Sequence, residues 1–199
     1  MNHYSSNLEL IFYNMGNNFI KNENDRYSKA VFYKLLTPII INNDRIIFLD
    51  GDALTFNDLS EMYQLKFNDN YILGILDFLS DGIDHLGIHS EIYINSGVIL
   101  LNLDLIRKEN KIYKLINYTN DNNFLKNVDQ TIINYVFYPK IGILPSKYCI
   151  FNFFDKLDIE RYLSLLRMKI NMTEIEESLI SPTVVHHVIC WPKIWSPIL

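Results

Sequence analysis

"IIFLDGDAL", Ile46 to Leu54, sets four large apolar side chains directly before two carboxylates that flank a glycine. A near-continuous apolar run such as Arg45 to Leu49 is the pattern of a strand covered on both faces, as in a parallel sheet. Asp50 and Asp52 are two apart, so in extended backbone at the strand's carboxyl end they point the same way. Open α/β sheets bind ligands at that end. Two carboxylates so close repel unless a proton or a cation lies between them, and hard divalent ions such as Mg²⁺ and Mn²⁺ prefer oxygen ligands. Taken alone, the triplet is equally what a solvated turn looks like, with Asp50 capping the chain that follows.

Outward from this stretch, the chain alternates. "LELIFYNM", residues 8–15, reads as a first strand, because β-branched and aromatic residues dominate and "GNN" punctuates its end. Ser28 is placed to cap a helix from Lys29 to about Thr37, closed by Pro38, which disfavours helical geometry in the residue before it. "YILGIL", residues 71–76, is another doubly covered strand, and "EIYINSGVILLNL", residues 91–103, gives two short strands broken at Asn95 to Gly97. From Leu103 to about Tyr118, Ile106, Ile112, Leu115 and Ile116 recur at helical spacing. Asp129 heads a further helix, "QTIINYVFY", and "PTVVHHVI" is a late strand. The segment 156–179 reads as a helical insertion lying on the surface. Strands and helices in this alternation predict an α/β layered domain.

Composition bounds the rest. A chain of 199 residues, 49% hydrophobic and 21% charged, is long enough for a single domain with a substantial core. A net charge of -5, with no gathering of Lys and Arg, disfavours a nucleic-acid backbone as the partner. Cys149 and Cys190 are too few for a disulfide scaffold and too far apart for a metal motif, and read as buried thiols of a reducing compartment. No apolar run reaches the roughly 20 residues of a membrane-spanning helix, and the start lacks the basic-then-apolar order of a signal peptide. The expectation is a cytoplasmic chain without a transmembrane segment.

Further residues carry chemistry only in combination. Asn95 and the glycine turn in "INSGV" suit a bulge or hairpin as well as a binding loop. Asp129 is a good N-cap, whereas Gln130 beside it has no capping role. His186 and His187 follow two valines on a strand, so one of them points inward, as a hydrogen-bonded core residue or as a ligand. Trp191 and Trp195 read as core or rim aromatics.

Together and in this order, the pieces resemble the retaining family-eight glycosyltransferases, the group with glycogenin and the lipopolysaccharide galactosyl- and glucosyltransferases. "SKAVFYKLLTP" resembles that family's "SxAxYxRLxxP", "DRIIFLDGDAL" its "DKVLYLDxDxxV", and "YINSGVILLNL" its "YFNSGVLLxNL". "VDQTIINYVF" is similar to "DQDxLNxxF", "LPSKYCIFN" to "LPxKYN", and "HVICWPKIW" to "HxxGxxKPW". The resemblance runs from about Ser28 to Trp195. It implies a GT-A-like mixed sheet flanked by helices, a UDP-sugar donor, a glycan, glycolipid or protein acceptor, and hexose transfer with retained anomeric configuration. It implies Mn²⁺ or Mg²⁺ held by Asp50, Asp52 and His187, where His187 rather than His186 has the motif's spacing to Lys193 and Trp195. Lys34 and Lys193 are implied at the diphosphate, Asn95, Asp129 and Asp77 at the donor-sugar hydroxyls, and Gln130 beside the anomeric carbon.

Among the departures from that pattern, Lys34 stands where the family has arginine, Cys190 where it has glycine, and Ile194 where it has proline. Lysine lacks the planar fork of donors. The chain also opens at what resembles a later strand, after the strand, loop and helix that surround the nucleotide base, and so reads as an N-terminally truncated fold. These departures motivate a rival reading as a non-catalytic remnant. A second rival is a haloacid-dehalogenase-type phosphatase, whose nucleophile lies in a strand-end "DxDx[TV]" pattern; Leu54 occupies the last position here.

Overall fold

The computed structural model describes residues 9–14, 29–77, 92–122, 128–151, 164, 173 and 180–186. Its organising element is β4, Ile94–Asn102, buried over all but its last residue. On one side β4 pairs antiparallel with β1, Arg45–Leu49; on the other it pairs antiparallel with β3, Ile72–Leu76. Strand β3 in turn pairs parallel with β5, Ile141–Ile143, giving the order β1-β4-β3-β5. A smaller sheet pairs β7, Val184–His186, with β2, Ala53–Thr55, and β6, Ile150–Phe151.

Successive strand residues face opposite ways, and the two central strands divide their apolar side chains accordingly. Ile99 and Leu101 of β4 and Ile72 of β3 join one core; Val98, Leu100, Leu73 and Ile75 join another. The first core is closed by helices: a 3-10 helix Lys29–Leu36, α1 (Thr37–Ile40), α3 (Leu103–Lys108), α4 (Lys111–Asp121) and α5 (Val128–Phe137). Phe32, Leu35, Leu115, Ile132 and Ile133 are their contributions to it. The second core is closed by Met62 of α2 (Ser60–Tyr63), Leu144, Tyr148, Cys149 and Val184. Cys149 is thus a buried free thiol; Cys190 lies outside the described residues.

Several elements differ from the sequence expectation. Strand β1 is not a doubly covered parallel strand: it pairs antiparallel, stands at the end of the strand order and is only half-buried. Residues 9–14 form no strand among the described residues, and Phe12 is 90% exposed. Pro38 does not end a helix. It sits in the first turn of α1, where its missing N–H is not needed. The stretch after Leu103 is two helices, split at Asn110, which adopts the left-handed conformation that Asn tolerates. The expected break at Asn95 to Gly97 is not a break in β4 but an irregularity in its pairing. Gly74 pairs with Ile99 and Leu76 with Ile94, so four residues of β4 face one of β3.

Of the segment 156–179, Ser164 and Thr173 are described, and both are helical. No helix among the described residues is long and apolar enough to cross a membrane.

Candidate functional site

The site begins at that irregular pairing. The Asn95 side-chain oxygen accepts from Gly97 N at 2.9 Å, a local bond that competes with the ladder and lifts the strand away from β3. Ser96, at the apex, spends its polar groups elsewhere. Its N–H donates to Gln130 Oε1 at 3.2 Å, its hydroxyl donates to Asp129 Oδ2 at 2.8 Å, and its carbonyl accepts from Lys34 Nζ at 3.2 Å. One looped-out serine thus ties the 3-10 helix and α5 to the sheet.

Asp50 follows β1 directly. Its N–H donates to Gly97 O at 2.7 Å, an added rung that fixes it beside the loop, and Ala53 N donates to Asp50 O at 3.0 Å, closing a turn through Gly51 and Asp52. A Cβ at Gly51 would meet nothing within 4 Å, so that glycine borders open space. Lys34 reaches the same place from the 3-10 helix, whose Phe32, Leu35 and Leu36 anchor in the core. Its ammonium lies 2.9 Å from Asp50 Oδ1 and 2.8 Å from Asp129 Oδ2, and 4.8 Å from the centroid of the Phe48 ring. Burial would pull the Lys34 ammonium down, but Asp129, and then Asp50, outweigh it and hold it above the ordinary lysine value.

The first turn of α5 supplies Asp129 and Gln130. Asn134, one turn on, pins the helix to β4: its oxygen accepts from Ile94 N at 2.8 Å, and its amide donates to Ile94 O at 2.8 Å and Gln130 O at 2.9 Å. Gln130 Nε2 donates to Asp77 Oδ2 at 2.5 Å, and Asp77 directly follows β3. The amide of Gln130 is therefore engaged at both ends, oxygen to Ser96 and nitrogen to Asp77.

A cavity of about 610 Å³ opens over this cluster, lined by Val31, Lys34, Phe48, Asp50, Asp52 and Asp129. Of the residues singled out in the sequence, Lys34, Asp50, Asp52 and Asp129 meet there, and Gln130 and Asp77 join them through the hydrogen-bond chain. Asn95 is buried beside them and shapes the loop. His186 ends β7; His187, Lys193, Trp191 and Trp195 lie outside the described residues. Among the described residues, no three His, Cys, Asp or Glu side chains form a group able to hold a metal ion. The carboxylates of Asp50 and Asp52 are nonetheless the hard oxygen donors that suit Mn²⁺ or Mg²⁺. Ser96 and Asn134 were not singled out by residue type. Their signal lay in position: Ser96 inside the "INSGV" loop, Asn134 one helical turn after Gln130.

The sequence profile described as "Glycosyl transferase family 8" matches residues 2–196. The chain is 29% identical over 147 residues to the lipopolysaccharide 1,2-glucosyltransferase of Escherichia coli, covering 67% of this chain and 43% of that one. It is 27% identical over 132 residues to general stress protein A of Bacillus subtilis, covering 58% and 43%. It spans between 15% and 43% of the length of the curated relatives it matches. Among solved structures, the galactosyltransferase LgtC in complex with donor and acceptor sugar analogues superposes with a TM-score of 0.61 at 20% identity, over 85% of this chain and 62% of that one. The bifunctional glycosyltransferase WbbM superposes with a TM-score of 0.64 at 18% identity, over 82% and 32%. The fold shared with these structures is GT-A, a mixed sheet flanked by helices.

Proposed function

The chain belongs to glycosyl transferase family 8, and from that premise we propose that it moves a hexose from a UDP-sugar to an acceptor hydroxyl with retained anomeric configuration. The observation that carries this reading is the convergence of Lys34, Asp50, Asp52 and Asp129 on one cavity. Transfer breaks the bond between the anomeric carbon and the diphosphate oxygen, leaving the electron pair on the diphosphate. The acceptor oxygen bonds to that carbon and passes its proton to the departing diphosphate. Negative charge grows on the diphosphate, and a site for it needs fixed positive charge.

In this reading Asp50, Asp52 and His187 hold Mn²⁺ or Mg²⁺, which supplies charge stabilisation at the leaving diphosphate. Lys34 and Lys193 place further positive charge there. Asp129, Asp77 and Asn95 bind donor-sugar hydroxyls. The Asp129 carboxylate has lone pairs beyond those that Lys34 and Ser96 use, and Asn95, whose oxygen serves Gly97, offers its amide N–H groups. Gln130 lies beside the anomeric carbon, its orientation held by Ser96 and Asp77. The acceptor is a glycan, glycolipid or protein, and the compartment is the cytoplasm, in keeping with a buried free thiol at Cys149.

The test is Asp52→Asn. The substitution keeps the size of the side chain and removes its charge, and is expected to lower Mn²⁺-dependent transfer or hydrolysis of UDP-sugar by about 10²–10³-fold. Full activity in this variant would refute the reading. Calorimetry with UDP and Mn²⁺ separates it from a non-catalytic remnant, which shows no coupled binding.

A further inference from the structure

Three carboxylates and one ammonium line the cavity: Asp50, Asp52, Asp129 and Lys34. The ammonium has three protons, and four acceptors surround it: Asp50 Oδ1 at 2.9 Å, Asp129 Oδ2 at 2.8 Å, Ser96 O at 3.2 Å and Ser96 Oγ at 3.4 Å. Its side chain is 6% exposed, and the Phe48 ring stands against it. The stem leaves a helix whose neighbouring residues are core, so the charge has little room to withdraw. A divalent ion on Asp50 would therefore share that carboxylate with a positive charge already seated on it.

We propose that Lys34 is an internal counter-cation, which keeps a bare divalent ion from settling on Asp50 and Asp52 and admits one together with a diphosphate. This rests on the reading of Asp50 and Asp52 as cation ligands. Diphosphate oxygens reverse the balance by giving the ammonium new acceptors. Lys34 and a divalent ion would then share an anion instead of competing for one carboxylate. A lysine suits such an exchange because its charge is compact and its donors rotate, whereas an arginine fork is committed to a planar partner. The consequence is positive coupling, and coupling is reciprocal: the diphosphate strengthens cation binding by the factor with which the cation strengthens diphosphate binding.

The experiment is calorimetric titration of the whole chain with MnCl₂, alone and at saturating UDP. For the wild type, UDP is expected to strengthen Mn²⁺ binding by about tenfold or more. Lys34→Met is expected to bind Mn²⁺ alone about tenfold more tightly than wild type, and to lose most of the UDP effect. Lys34→Arg keeps the charge and is expected to keep weak binding of the bare ion.

If Lys34→Met binds bare Mn²⁺ no more tightly than wild type while its far-ultraviolet circular dichroism is unchanged, the proposal fails and the reading of the cation ligands stands. Should Lys34→Met not fold, Lys34→Gln, which keeps a donor for Ser96 O, takes its place. Wild-type protein that binds Mn²⁺ as tightly without UDP as with it also overturns the proposal. Wild-type protein that binds neither species in any combination overturns the functional reading, and the proposal with it.

Discussion

Two lysines in this molecule each sit between two carboxylates, at opposite ends of β3. Lys34 joins Asp50 and Asp129 near the end where β3 runs into Asp77. Lys140 joins Glu109 at 2.7 Å and Asp69 at 3.2 Å near the other end, beside Tyr71, whose phenol donates to Glu109. Each ammonium also faces an aromatic ring, Phe48 for Lys34 and Tyr71 for Lys140. The composition is nearly identical and the surroundings are not. The Lys34 side chain is 6% exposed and borders a cavity, while Lys140 is 31% exposed and its partner Asp69 72%. Lys140 braces a joint, where the chain leaves α5 for β5 and passes the turn between α3 and α4. Lys34 is stationed where a ligand can replace its partners. Ion-pair chemistry alone marks neither role; depth and an adjoining cavity do.

The contrast breaks most readily at the lysines themselves. Lys34→Ala leaves Asp50 and Asp129, 34% and 16% exposed at the cavity wall, without the ammonium between them, and is expected to lower stability to urea by about 1–3 kcal/mol. Lys140→Ala is expected to leave the urea midpoint unchanged within error, because solvent and salt already screen an exposed pair. Equal losses for the two variants would erase the distinction.

Asn134→Ala sharpens the comparison by removing a brace that touches no ion pair. Ile94 N and O lose their side-chain partner, and the expected cost is about 1–3 kcal/mol by urea titration. The loosened first turn of α5 is also expected to lower transfer activity, with no comparable effect at the Lys140 end.

The smallest effect lies at high pH. Burial, and then the hydrogen bond to Glu109, push the Tyr71 phenol up from 10.0 to about 12. A group raised on folding contributes stability that is complete below its unfolded value and lost as pH rises through its folded value. Ultraviolet titration should therefore show Tyr71 ionising late, near pH 12, with stability declining between about pH 10 and 12. Tyr71→Phe should remove both signs and leave the Lys34 cluster as it was.

What could be read from the sequence followed from whether neighbours in the chain decide the structure. Strands β3 and β4 were legible because Ile72 to Leu76 and Val98 to Leu101 are apolar on both faces, and such runs have few other solutions. The carboxylates after β1 were legible because a charged pair closing an apolar run needs a reason. Residues 9–14 have strand composition and no strand, since pairing depends on a partner that local sequence does not name. The parallel expectation for β1 failed in the same way: an edge strand and a central strand share composition, and only topology separates them. Pro38 misled because proline both ends helices and begins them. At the site, Asp129 and Gln130 were found by motif, whereas the work of Ser96 comes from backbone groups that any residue owns. Its serine hydroxyl adds the contacts to Asp129 and Lys34.

The looped-out part of β4 has a last consequence. Because four residues there answer one of β3, the loop sets the phase in which the strand's two halves reach their layers. Losing any single residue between Asn95 and Gly97 would hand the strand an odd remainder, and alternate side chains would trade sides. Ile94 would be turned out of the core it shares with Ile99, or the serine would be turned away from the lysine. Length is thus under tighter constraint than residue identity in this stretch, and a survey of tolerated changes should find substitutions there more readily than deletions.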